Sequence, residues 1–215
     1  MIEAILSYFQ QGSPEFFLAL RQHIFIAACA VTLAVLIGLP LGVLSARNKT
    51  IRSTVMGTFS TLRVIPSLAL LFLIVTLTGA VGVPAALFAL VVLALPPILI
   101  NSTMAFSQIP QTSVEAATAL GLRPWQTFWQ VKFPLAASLI FAGIKTATAE
   151  VIASTTLAAF IGGGGLGTII FTGLGLMRSD LLFIGGISVA ALSLLSLATL
   201  NILEKRLIPW KHLSK

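Results

Sequence analysis

Charge is scarce in this sequence. Only 9% of the 215 residues are Asp, Glu, Lys or Arg, where a soluble domain carries about a quarter. Such a chain has too little polar surface to cover a water-soluble fold. A hydrophobic content of 57% and a mean hydropathy of +1.04 point the same way. There is a single cysteine, Cys29, inside an apolar run. That excludes a disulfide framework and any cysteine metal motif, and leaves a small packing residue. Two histidines, His23 and His212, with no HExxH, offer neither a metal cluster nor a nucleophile–base pair. No metal or cofactor is expected. The start lacks a basic n-region, with Glu3 in its place and no small-residue cleavage site, so it does not read as a secretory signal. Residues 1–22 read instead as an external amphipathic segment resting on a membrane surface.

Long apolar runs are what the chain does have. Five recur, at about 23–46, 54–78, 84–106, 134–159 and 181–203, each long enough for a crossing of about 20 residues. The expected fold is an all-α integral membrane protein with five transmembrane helices. Basic residues sort sharply between the connecting loops. Arg47, Lys49 and Arg52 lie in one loop, Arg123 and Lys132 in another, and Lys205, Arg206, Lys211 and Lys215 in the tail. Only Arg21 and Arg178 fall on the opposite side, while Arg63 and Lys145 sit inside apolar runs. Basic loops stay cytoplasmic, which predicts the N-terminus outside and the C-terminus inside. The net charge of +7 then reports orientation, not nucleic-acid binding. The expected organisation is an external segment over 1–22, a transmembrane domain over 23–203 and a basic cytoplasmic tail over 204–215.

The glycine-rich stretch AAFIGGGGLGTIIFTGLG, residues 158–175, contains a GxGxxG pattern at Gly162, Gly164 and Gly167. It also contains GxxxxG followed by Thr168. A phosphate loop needs Lys before Ser or Thr, and a dinucleotide fold needs a strand ahead of its glycines. Neither is present, and the charge rule puts the stretch on the outer side, away from cytosolic ATP. Irregular backbone at membrane depth survives only inside protein or along a water-filled cavity. Residues 160–180 therefore read as an external, bent or re-entrant segment. Gly162, Gly163, Gly164, Gly165 and Gly167 are candidates for an outer gate, with a plain external loop as the alternative.

The longest polar excursion is SQIPQTSVEAATALGLRPWQTFWQVKF, residues 107–133. Thr112-x-x-Glu115 has the form of a capping box. A short helix through Ala116, Ala117 and Leu120 is expected to end at Gly121, and Pro124 to start a second. Trp125, Phe128, Trp129 and Lys132 follow at helical spacing before Pro134 opens the fourth run. Small alanines allow close docking into a partner. The aromatics suit either that partner or the membrane interface.

Glu150 lies about 24 Å along the fourth run from Pro134. Gly143, Thr146, Ala147, Glu150 and Ser154 share a helical face. That face either lines a translocation path or packs tightly on a neighbouring helix. Lys145 points well away from Glu150. Arg63 either snorkels to the surface or serves a gate. Pro66, Pro96 and Pro97 are expected to break or kink their helices. A self-sufficient transporter would show internal repeats or several midplane ionisable residues, and no clear repeat is visible.

The segment VEAATALGLRPWQTFWQVKFPLA resembles the EAA loop of ABC importer permeases. Glu115, Ala116, Ala117 and Gly121 match its motif, and Phe133-Pro134 stands where the family has Leu-Pro. LRVIPSLALLFLI (62–74), LPPILINS (95–102), AGIKTATAEVIASTTLAAFIGGGGLG (142–167) and IIFTGL (169–174) are similar to permeases for glycine betaine, carnitine and choline. Methionine-importer permeases share Arg63-x-Ile65-Pro66 and the glycine stretch, and are the rival. The resemblance implies a type I importer transmembrane domain in a bacterial inner membrane, non-catalytic in itself. It implies cytosolic ABC ATPase subunits docked at Glu115, Ala116, Ala117, Gly121 and Trp125, a second permease copy and an external solute-binding protein. It also implies a path in which Glu150, Thr146, Ser154 and Arg63 are candidates. The osmoprotectant permeases usually carry an uncharged residue where this chain has Glu150.

Overall fold

In the computed structural model, residues 2–208 are described, except for the side chains of residues 2–6 and 11–13. Lys211 and Lys215 of the basic tail lie outside the described residues. Every regular element among the described residues is helical: α1 (Ile2–Ala46), α2 (Lys49–Leu62), α3 (Ser67–Thr78), α4 (Val83–Ser107), α5 (Gln111–Ala119) and α6 (Pro124–Thr127). A π-helix (Phe128–Lys132), α7 (Phe133–Leu157), a 3-10 turn (Ala158–Ile161), α8 (Leu166–Gly175) and α9 (Ser179–Leu207) complete the chain. A backbone with no water to bond must satisfy itself, which in an apolar chain favours helix throughout.

Four helical stretches are long and apolar enough to cross a membrane: Pro14–Ala46, Val83–Ser107, Pro124–Ile161 and Ser179–Leu207. Prolines and helix continuity set how these stretches relate to the five apolar runs. The run at 54–78 is bent at Pro66, as expected, with α2 and α3 meeting at 97°. Pro66 has no N–H for the Leu62 carbonyl and disfavours helical backbone in Ile65. The helix of the first run extends further back, since α1 passes through residue 23 without a break. At the fourth run no helix begins at Pro134. A wide turn absorbs that proline, with the Phe133 N–H bonding back to the Phe128 carbonyl five residues earlier, so the helical course is continuous from Pro124. Pro96 and Pro97 likewise lie inside an uninterrupted α4.

The chain divides into two compact units. The first comprises the chain up to Leu33, Ile65–Ala94 and Thr148–Leu197. One of its cores joins Leu70, Leu71 and Ile74 of α3 to Ala85, Ala86 and Ala89 of α4 and to Ala158 and Ile161. A second joins Phe16 and Ala19 of α1 to Leu166 and Ile169 of α8 and Leu181 and Ile184 of α9.

The second unit comprises Ala34–Val64, Leu95–Ala147 and the chain from Ala198. Small residues set its helix contacts. A Cβ on Gly42 of α1 would stand 2.5 Å from the Ser102 Cβ of α4, and one on Gly38 3.0 Å from Ile98. These glycines are one turn apart, the close-packing spacing of membrane helices. Gly143 of α7 meets α4 the same way, 2.8 Å from the Pro97 carbonyl oxygen.

Candidate functional site

The 107–133 loop folds as helix, glycine turn, helix. Its first helix starts one residue before the expected cap: Pro110 is the N-cap, and no side chain caps the helix. The Thr112/Glu115 capping box therefore does not form. Pro110 fixes its own φ near −60° and so starts the helix from the backbone alone. The end matches expectation. Gly121 adopts φ +81°, the Leu122 N–H bonds the Ala117 carbonyl at 3.1 Å, and the Gly121 N–H bonds Thr118 at 2.9 Å. That pair of bonds is a Schellman termination. Pro124 takes the first position of α6, and the Gln126 side chain accepts from the Arg123 N–H at 2.9 Å.

Of the five loop residues singled out, Glu115, Ala116, Gly121 and Trp125 are exposed, and Ala117 is buried. Ala117 thus faces the protein, and the free side of α5 is formed by Glu115, Ala116 and their neighbours. Trp125 stacks edge-on against Trp129 at 5.3 Å, and Phe128 lies parallel to Phe106 at 5.7 Å.

Along α7 the expected polar face is divided. Gly143, Ala147 and Ser154 are buried, Thr146 is exposed and Glu150 is half-buried. The Thr146 hydroxyl is turned back to the Ala142 carbonyl at 3.0 Å. Arg63 is the C-terminal cap of α2, exposed at the bend before Pro66. Lys145 is paired away from Glu150, with the carboxylate of Glu204 on α9; Ser138 also donates to that carboxylate, at 3.4 Å. Sequence reasoning missed Glu204. Its signal was present, because a lysine inside an apolar helix requires a counter-charge.

The glycine segment is held from α1. Gly164 and Gly165 have φ of +75° and +79°, and a Cβ on Gly164 would collide with the Gln22 amide. Gln22 Oε1 accepts from the Gly165 N–H at 3.2 Å, and its Nε2 donates to the Gly163 carbonyl at 3.3 Å. His23, fully buried, accepts the Leu166 N–H on Nδ1 at 3.3 Å and bonds the Ile152 carbonyl through Nε2 at 3.1 Å. An amide only donates and a carbonyl only accepts, so these partners select the neutral Nε2–H tautomer. The first amides of α8 are therefore capped by side chains from α1, where a phosphate-binding loop would leave them for its ligand. Gly163 and Gly167 also leave no room for a side chain, the former against Ala158 and Ala86 and the latter against the Thr156 carbonyl. Gly162 is exposed, with φ +78°. Neither Gln22 nor His23 stood out in the sequence as a partner of these glycines.

Comparison with known proteins gives consistent likenesses. Residues 38–209 match the family described as binding-protein-dependent transport system inner membrane component. A carnitine transport permease protein of Listeria monocytogenes is 38% identical over 97% of this chain and 95% of its own length. A choline transport system permease protein of Bacillus subtilis (strain 168) is 36% identical over 95% and 94%. Among solved structures, an amino acid ABC transporter chain aligns with a TM-score of 0.76 at 20% identity, covering 94% of this chain and 98% of that one. An inward-facing methionine ABC transporter aligns at 0.69 and 22%, covering 90% and 94%. At such identity these two structures speak to the fold alone.

Proposed function

The chain belongs to the family of binding-protein-dependent transport system inner membrane components, and from that premise we propose that it is the permease subunit of an ATP-driven importer for osmoprotectants such as glycine betaine, carnitine or choline. The observation that carries the solute class is 33–38% identity, over 95–97% of this chain, to permeases named for those solutes. The likeness to the methionine transporter does not reach that level and bears on fold only.

In this reading the basic loops face the cytosol and the N-terminus lies outside. The exposed helix–glycine–helix of 107–133 docks onto cytosolic ABC ATPase subunits through Glu115, Ala116, Gly121 and Trp125, with Ala117 supporting the helix from behind. ATP binding closes the ATPase pair, and the docked helices move with it. Because the helical course runs unbroken from Pro124 to Ile161, displacement at the loop passes directly into the fourth span. A second permease copy completes the pathway, and an external binding protein delivers the solute. Thr146, Glu150, Ser154 and Arg63 are the proposed path residues. The clamped glycine segment, with Gly162, Gly163, Gly164, Gly165 and Gly167, forms the outer closure.

Glu115→Lys tests the docking. Glu115 is exposed, so reversing its charge leaves the fold intact. Purified from native membranes in mild detergent, the unmodified chain is expected to carry an ATPase with it. The variant, at equal abundance, is expected to lose most of that ATPase together with uptake of labelled glycine betaine, carnitine and choline. A chain that moves these solutes without ATP and without a partner would overturn the reading. Glu150→Gln tests the path. Removing a carboxylate that faces a cationic quaternary ammonium solute is expected to lower uptake several-fold at normal abundance, and unchanged uptake removes Glu150 from the path.

A further inference from the structure

Beside the 107–133 loop, the second unit contains an apolar groove that none of the steps above uses. Leu39, Val43 and Leu44 of α1 form one wall, Phe106 of α4 the floor, and Phe128 and Phe133 the other wall. Trp129 closes its edge. The π-helix shapes it: Phe128 and Phe133 are five residues apart, a single turn of that wider helix, so both rings reach the same side. Such distortions recur at functional sites.

The groove is open along one side and offers about 360 Å³. None of the lining side chains has a polar group to hold water except the Trp129 indole N–H, and an apolar cavity does not retain it. Its rim is basic. Arg47 follows Leu44 by one turn, its N–H bonding the Leu44 carbonyl at 3.2 Å, and half-buried Lys132 precedes Phe133. Residues 39–52 and 123–133 contain Arg47, Lys49, Arg52, Arg123 and Lys132, and no Asp or Glu. A second copy of this chain packed here about a two-fold axis would bring the same basic segments together, like charge on like. The charge fits an anion with an apolar tail.

We propose that this groove binds one acyl chain of an anionic phospholipid, with its headgroup held by Arg47 and Lys132. Trp129 at the groove edge suits such a site, since tryptophans concentrate at membrane interfaces. The site places a lipid against the π-helix that joins the 107–133 loop to α7, so an occupied groove braces that joint from the membrane side.

The test uses the full chain with Trp125→Phe and Trp210→Phe, which leaves Trp129 as its sole tryptophan. It is reconstituted into nanodiscs of phosphatidylcholine containing a small fraction of chain-brominated lipid, either phosphatidylglycerol or phosphatidylcholine. Bromine quenches tryptophan only at close range. Brominated phosphatidylglycerol is expected to quench Trp129 several-fold more than brominated phosphatidylcholine at the same fraction. Arg47→Gln and Lys132→Gln are each expected to lower that preference about fivefold. Val43→Phe, which fills the groove, is expected to reduce quenching to the level of bulk lipid. No quenching by either lipid overturns the proposal and points to a second copy or another protein covering the groove. Equal quenching by the two headgroups also overturns it, because Trp129 would then be meeting bulk bilayer. This comparison is made on the native groove, so it stands even if Val43→Phe does not fold.

Discussion

Glu204→Gln is expected to lower the thermal midpoint of the chain in detergent by roughly 6–12 °C. Its carboxylate meets the Lys145 ammonium and accepts from Ser138, and both charged side chains are largely shielded, at 21% and 11% exposure. Removing one partner of a buried pair leaves the other charge uncompensated, at a cost of about 3 kcal/mol or more. For a chain of this length each kcal/mol shifts the midpoint by about 2–4 °C. Lys145→Met alone should also be costly, since it takes an ammonium away from a shielded carboxylate. Removing both charges, with Lys145→Met and Glu204→Leu together, should recover most of the loss, since apolar replacement of a buried pair is often neutral. Such non-additivity is the signature of direct coupling. Cys29, the chain's single cysteine and half-buried, is a natural reporter: a thiol-reactive fluorophore labels it as the fold opens. A Glu204→Gln midpoint equal to that of the native chain would show that the pair contributes nothing.

His23→Leu is expected to destabilise the first unit nearly as strongly. Leucine fills most of the imidazole volume yet leaves the Leu166 N–H without its acceptor at 3.3 Å and the Ile152 carbonyl without its second donor at 3.1 Å. Ile152 keeps its helical bond, so the larger cost falls on Leu166, which stands at the start of α8 with no intrahelical partner. An orphaned buried amide costs about 1–3 kcal/mol. The glycine segment should open first, seen as faster hydrogen exchange at Gly165 and Leu166 than elsewhere in the first unit. His23→Asn offers the discriminating control, because its side-chain oxygen occupies nearly the position of Nδ1. Asparagine is expected to restore much of the Leu166 protection that leucine loses. Equal protection in all three proteins would remove His23 from the clamp.

Much of the 107–133 loop was legible in the sequence because its structure is decided within a few residues. Gly121 ends α5 because a left-handed residue is needed there, and Pro124 begins α6 because its φ is already helical. The false capping box at Thr112 is equally local in origin: Pro110 supplied a competing start two residues earlier. The bend was legible from Pro66, but its size was not, because hydropathy alone reads the run as one span. Hydropathy counts how apolar a segment is and carries nothing about its direction.

Composition by itself determined that this chain is a helical membrane protein. Loop charge by itself supplied an expected orientation, and turn chemistry by itself shaped the loop between the third and fourth apolar runs. Only the tertiary structure decided that Lys145 meets Glu204, 59 residues away, and that Gln22 and His23 hold Gly163, Gly165 and Leu166 some 140 residues away. The physical reason is the solvent. In water a helix declares its buried face by a polar one opposite, but in a bilayer apolar side chains cover every face. Which faces meet is then set by small-residue contacts such as Gly42 on Ser102 and by the few polar groups that must find each other, and those partners exist only once the helices have packed.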